Sequence, residues 1–177
     1  PNYRLARVLA MQALLTKQPA LVVAPAAGLL RPLPQPAAFQ AAQLSLTVGA
    51  ELDLTTTATQ LAKMGYVRQK MVAAPGDFAI RGSILDIYAL NTPYPVRVDL
   101  FDTEIDSLRY FEADSQRSLQ NIEAATILPA TELVMDQAAT QRAAAALQAE
   151  LTKRQAELPA EQQDQLAHAY APVIEEL

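Results

Sequence analysis

The sequence contains no cysteine and no tryptophan, and only one histidine and five glycines among its 177 residues. Without cysteine there is no disulfide and no thiolate metal site, which fits a reducing compartment. The single histidine, His168, lies in an acidic C-terminal stretch with no nucleophile near it in sequence, so it reads as a solvated side chain. No apolar run approaches the roughly 20 residues of a membrane-spanning helix, and the N-terminus has no signal-peptide pattern. Neither a GxGxxG nor a glycine-rich loop ending in Lys-Ser or Lys-Thr is present, so a phosphate loop is not expected. The chain starts at Pro1 rather than Met, as expected of a fragment of a longer protein.

Positive charge is also scarce. The formal net charge is −5, and all of the excess lies beyond residue 130. There Glu132, Asp136, Glu150, Glu157, Glu161, Asp164, Glu175 and Glu176 face only Arg142, Lys153 and Arg154. No basic cluster offers a phosphate-neutralising patch, so direct nucleic-acid binding is not expected. Half of the composition is hydrophobic, enough for a core, although much of it is alanine.

What is present is a β-rich centre over residues 65–132. Short β-branched and aromatic segments are broken there by Pro-Gly, Arg-Gly and Asp-Thr turns. The segment PVRVDLF, residues 95–101, alternates strictly. Val96, Val98 and Leu100 define a core face, and Arg97, Asp99 and Phe101 the opposite, outward one. Strands are expected near residues 44–48, 66–72, 77–81, 83–89, 95–101, 105–112 and 124–128. The hairpin connection at Asp102 to Glu104 makes the segments on either side antiparallel neighbours, and Gly76 and Gly82 mark turns or bulges. A helix over residues 55–64 carries a Thr cap and ends at Gly65. The fold class is therefore α+β, a mostly antiparallel sheet domain with one helix.

The flanks read differently. Residues 2–18 have helical periodicity, ended by Pro19. The run ALVVA, residues 20–24, has the continuous apolar character of a strand buried on both faces. Residues 28–33 form a short helix, and Pro32, Pro34 and Pro36 mark a boundary, as does Pro129. Asp136 caps an alanine-rich helix through about residue 156. Pro159 starts another, with Leu166, Tyr170, Val173 and Leu177 as its apolar stripe.

Two constellations carry possible chemistry. Asp99, Asp102, Glu104 and Asp106, with Asp86 as a further ligand, would suit a hard cation and a metal-dependent hydrolase. Their hairpin spacing, with Arg97 and Arg109 at hand, equally describes a solvated turn with surface ion pairs. Arg81, Arg97 and Phe101 form the second set. Each arginine has a plain structural use, pairing with Asp99 or Asp77. Two guanidiniums beside an outward aromatic also suit a protein-docking surface that takes carboxylates. Arg68 and Lys70 are ordinary strand-face charges.

The stretches GYVRQKMVAAPGDFAIRGSILDIY, PYPVRVDLFDTEIDSLRYFEADSQRS and ILPATE resemble the bacterial transcription-repair coupling factor family (Mfd) over about residues 20–134. A looser form of the module occurs in UvrB, whose own UvrA-binding domain is the alternative. The resemblance implies that residues 1–36 end a first, motor-like UvrB-like subdomain. Residues 37–128 would then be an inserted UvrA-interaction domain, and residues 129–177 a helical return. It implies a binding fragment rather than an enzyme, with UvrA as partner. RNA polymerase, DNA and ATP would be engaged by other parts of the full-length cytoplasmic protein, and the fragment itself would hold no cofactor. It further implies that a distant C-terminal domain masks the surface in the resting protein. The family's UvrA contacts, an arginine in the AxRG turn, an arginine after the strand-opening proline and a phenylalanine four residues on, fall at Arg81, Arg97 and Phe101.

Overall fold

The alternation of residues 95–101 is realised as a central strand of a six-stranded sheet. The structure, a computed structural model, describes residues 3–16, 19, 21–30, 33–132 and 137–158. The chain divides into two compact units, Pro1–Val134 and Met135–Leu177. In the first, α1 (Tyr3–Leu15), α2 (Ala26–Leu29) and α3 (Pro36–Ala41) precede β1 (Leu44–Thr47) and α4 (Leu54–Lys63). There follow β2 (Val67–Arg68), β3 (Asp77–Arg81), β4 (Ile84–Ile87), β5 (Val96–Phe101), β6 (Glu104–Phe111), β7 (Ser118–Ile122) and β8 (Ala124–Ile127). The second unit contains α5 (Gln137–Glu157).

Strands β2 to β7 lie in sequence order, all pairs antiparallel except β2 with β3. The α+β reading, with mostly antiparallel pairing, is the fold observed. Strands β1 and β8 form a separate antiparallel pair, Leu44 opposite Ile127 and Thr47 opposite Ala124. One face of the large sheet is the main core. Phe78, Leu85, Ile87, Val96, Val98, Leu100, Ile105 and Leu108 cluster there with Leu61, Met64 and Tyr66 from α4 and the turn after it. Leu44, Leu46 and Ile127 of the small sheet join the same cluster. Helix α1 packs separately, with Val8 and Met11 against Phe39 of α3 and Leu128.

Several local expectations are corrected. Helix α4 is capped by Asp53, whose carboxylate accepts from the Thr56 N–H at 2.7 Å, rather than by a threonine. The acceptor stands three residues before the donor, the usual N-cap offset. Pro36 opens α3, a helix the sequence reading did not place, since a proline at the first turn has no N–H to waste. Residues 66–72 contribute only the two-residue β2 to the ladder. Strand β7 was not anticipated, because SLQNI has almost no buried residue and is defined by its pairing with β6. Residues 21–24 are not a strand, and Leu21 and Val23 are almost fully exposed. Their apolar character suits a sheet interior, but no strand among the described residues pairs with them. The expected cap Asp136, the helix after Pro159 with its stripe, and His168 lie outside the described residues.

Candidate functional site

The two tight turns at one end of the sheet set the geometry. Gly82, at φ +61°, and Ser83 connect β3 to β4, with Arg81 opposite Ile84. A glycine at the first of two turn residues fits a hairpin turn that matches strand twist. Asp102, at φ 58°, and Thr103 connect β5 to β6, with Phe101 opposite Glu104. Arg81 and Phe101 therefore stand at the same end, on strands separated only by β4. With a strand spacing of about 4.8 Å, β3 and β5 run roughly 10 Å apart. A register shift after Asp99 places Leu100 opposite Ile105, leaving Asp106 as the extra residue of a bulge.

The face away from the main core carries an ordered row of side chains. Ala79, Asp86, Arg97, Arg109 and Asn121 are aligned across β3 to β7. Asp86 is completely buried. It accepts from Arg97 through both oxygens, Nε to Oδ1 at 2.6 Å and Nη2 to Oδ2 at 2.9 Å. Arg81 donates from Nη2 to the same Oδ2 at 2.6 Å. One carboxylate thus holds two guanidiniums, a fork geometry suited to arginine. The Arg97 guanidinium lies over the Phe111 ring, 4.1 Å from its centroid. Phe111 is buried with Val72 and Ala79 in a small second core. Gln116 closes the arrangement: its Oε1 accepts from Arg97 Nη2 at 2.7 Å and lies 3.5 Å from Arg81 Nη2. The Gln116 amide in turn donates to the Ala113 carbonyl at 2.7 Å, with backbone φ at 60°. The hydrogen bonds that Arg97 donates to Asp86 hold its pKa above the ordinary arginine value despite burial, and the charges of Asp86 and Asp99 add to this.

The three anticipated residues thus differ in kind. Phe101 is 79% exposed. The Arg81 side chain is 42% exposed, with no described partner on Nε or Nη1. Arg97 is 9% exposed, so it does not project outward as the alternation suggested. The reason is that the second face is itself partly covered, by Val72 and by the turn after β6. The expected partners are also corrected. Asp99 pairs with Arg109, and Asp77 accepts from the N–H groups of Ala73 and Ala74. Asp102, Glu104 and Asp106 are exposed, and among the described residues no three acidic, histidine or cysteine side chains converge to hold a metal. Sequence reasoning gave Asp86 only to a metal site and gave Gln116 and Phe111 no role. Asp86 did carry a signal, a lone carboxylate between Leu85 and Ile87 in an otherwise apolar strand. Among the described residues no helix is long and apolar enough to cross a membrane.

A β-rich unit whose outer face combines an exposed aromatic with an arginine tethered from below has the features of an interaction module. The UvrB interaction domain family matches residues 44–133, from the first residue of β1 to just beyond β8, and the chain belongs to that family. It is similar to transcription-repair-coupling factors. That of Bacillus subtilis (strain 168) is 37% identical over 169 residues, covering 96% of this chain and 14% of the relative. That of Staphylococcus haemolyticus (strain JCSC1435) is 38% identical over 135 residues, covering 76% of this chain and 12% of the relative. That of Staphylococcus aureus (strain bovine RF122 / ET3-1) is 36% identical over the same length. The chain thus spans about one seventh or less of the length of these curated relatives.

Proposed function

We propose that this chain is the UvrA-docking part of a transcription-repair coupling factor, and that it recruits UvrA to RNA polymerase stalled at a lesion. It is a binding fragment that itself uses no cofactor. Polymerase, DNA and ATP are engaged by other parts of the cytoplasmic full-length protein. Residues 37–128 are the docking insert, and residues 1–36 and 129–177 belong to the UvrB-like subdomain around it. The observation that carries the reading is Phe101, an almost fully exposed aromatic at a hairpin end, on the same sheet face as Arg81. Exposed aromatics and arginines with spare donors are residue types enriched at protein interfaces. Phe101 fills an apolar recess on UvrA, and the Arg81 guanidinium on the same sheet face meets a carboxylate.

Calorimetric titration of the chain against purified UvrA tests this. Phe101→Ala is expected to weaken binding by roughly thirtyfold or more, about 2 kcal/mol. Its melting temperature should stay at the wild-type value, because an exposed side chain contributes little to stability. Unaltered affinity in both Phe101→Ala and Arg81→Ala would dismiss this surface as the docking site.

A further inference from the structure

We propose that Asp86 and Gln116 are positioning residues, and that the direct contact with the partner's carboxylate is made by Arg81 rather than by Arg97. The inference rests on the docking reading above and divides its labour. Arg97 is held mostly from within. Its Nε and Nη2 go to Asp86, Nη2 also meets Gln116 Oε1, and its flat side rests on Phe111. Arg81 gives Asp86 one N–H from Nη2, which also lies 3.5 Å from Gln116 Oε1, and has no described partner on Nε or Nη1 of its part-exposed side chain. A planar guanidinium fixed at one corner and open at the others is ready to receive a carboxylate without first being immobilised. Arg97 acts through Asp86: it neutralises the buried carboxylate and fixes its plane, which fixes Arg81. Gln116 is the neutral acceptor that completes this network. Being uncharged, it does not compete with the partner for Arg81.

Gln116→Glu is the decisive variant, because it is nearly isosteric and keeps the same backbone. A carboxylate at that position sits within reach of both arginines, through Nη2 of each, and neutralises the charge that Arg81 presents to a partner. Binding of UvrA is expected to weaken by about tenfold or more, with a shallower salt dependence of the association rate, since the steering charge is neutralised. Melting temperature should stay near the wild-type value, because the added charge-assisted pair offsets the lost hydrogen bond to the Ala113 carbonyl. Gln116→Asn is the uncharged control. Asparagine suits the left-handed backbone, but its amide is drawn back by one methylene. It should weaken binding a few-fold and leave the salt dependence as in wild type. Wild-type affinity in Gln116→Glu overturns the proposal, as does a loss of affinity that merely follows a loss of melting temperature. If Phe101→Ala and Arg81→Ala abolish binding while Gln116→Glu does not, the docking surface stands and only the positioning role is lost. If wild-type chain does not bind UvrA, both readings fall.

Discussion

Arg97 and Phe101 sit on one strand and on one face, yet they do different physical work. Phe101 is nearly free, and removing its ring leaves nothing behind inside the protein. Arg97 neutralises a carboxylate from which water is excluded. Arg97→Ala strands Asp86 with only the part-exposed Arg81, and breaking a buried pair from one side costs about 3 kcal/mol or more. A clear fall in the urea midpoint is the expected outcome, in contrast to the unchanged melting expected from a purely outward arginine. Loss of UvrA binding in Arg97→Ala is therefore no evidence of direct contact, whereas the same loss in Phe101→Ala is. The period-2 pattern made the face of each residue legible. It could not make depth legible, because depth depends on Val72 and on the turn holding Gln116, both distant in sequence from β5.

Among the elements, strands with strong alternation were readable and those defined by their neighbours were not. Strand β5 follows from VRVDLF alone. Strand β7 is polar and exists because β6 offers an unpaired edge. The run at residues 21–24 shows the converse, a strand-like composition with no adjoining strand among the described residues. Helix α4 was readable in its extent but not in its cap. The Asp53 carboxylate sits below its ordinary pKa of 3.8, mainly through the hydrogen bonds from Thr56. A lowered folded pKa gives stabilisation that is complete above the unfolded value and disappears as pH falls through the folded one. Asp53→Asn keeps an acceptor but removes the titration. The stability difference between wild type and Asp53→Asn should be constant above pH 3.8 and change only below it, as acid titrations followed by circular dichroism would record.

For the molecule as a whole, topology divides folding into near and far steps. The hairpins of β3 with β4 and β5 with β6 join neighbours in sequence, whereas β1 pairs with β8 across all the intervening strands. Closing the longer loop costs more entropy before any contact repays it. Leu85 and Leu46 are both buried in the main core, on β4 and β1 respectively. Truncating either to alanine should cost roughly 3 kcal/mol. Leu85→Ala is expected chiefly to slow refolding and Leu46→Ala chiefly to speed unfolding, as stopped-flow chevrons would show. Equal partition in the two variants would contradict a meander that forms before its closing pair.

That closing pair has a broader consequence. Tyr66 donates its hydroxyl to the Leu128 carbonyl at 2.7 Å, and the Ala130 N–H bonds the Met64 carbonyl at 2.7 Å, so a second stitch lies beside the β1–β8 pairing. The polypeptide arrives and departs through one narrow doorway. Such a cassette could be spliced into a surface loop of an unrelated host while disturbing little on either side, carrying its adhesive tip with it.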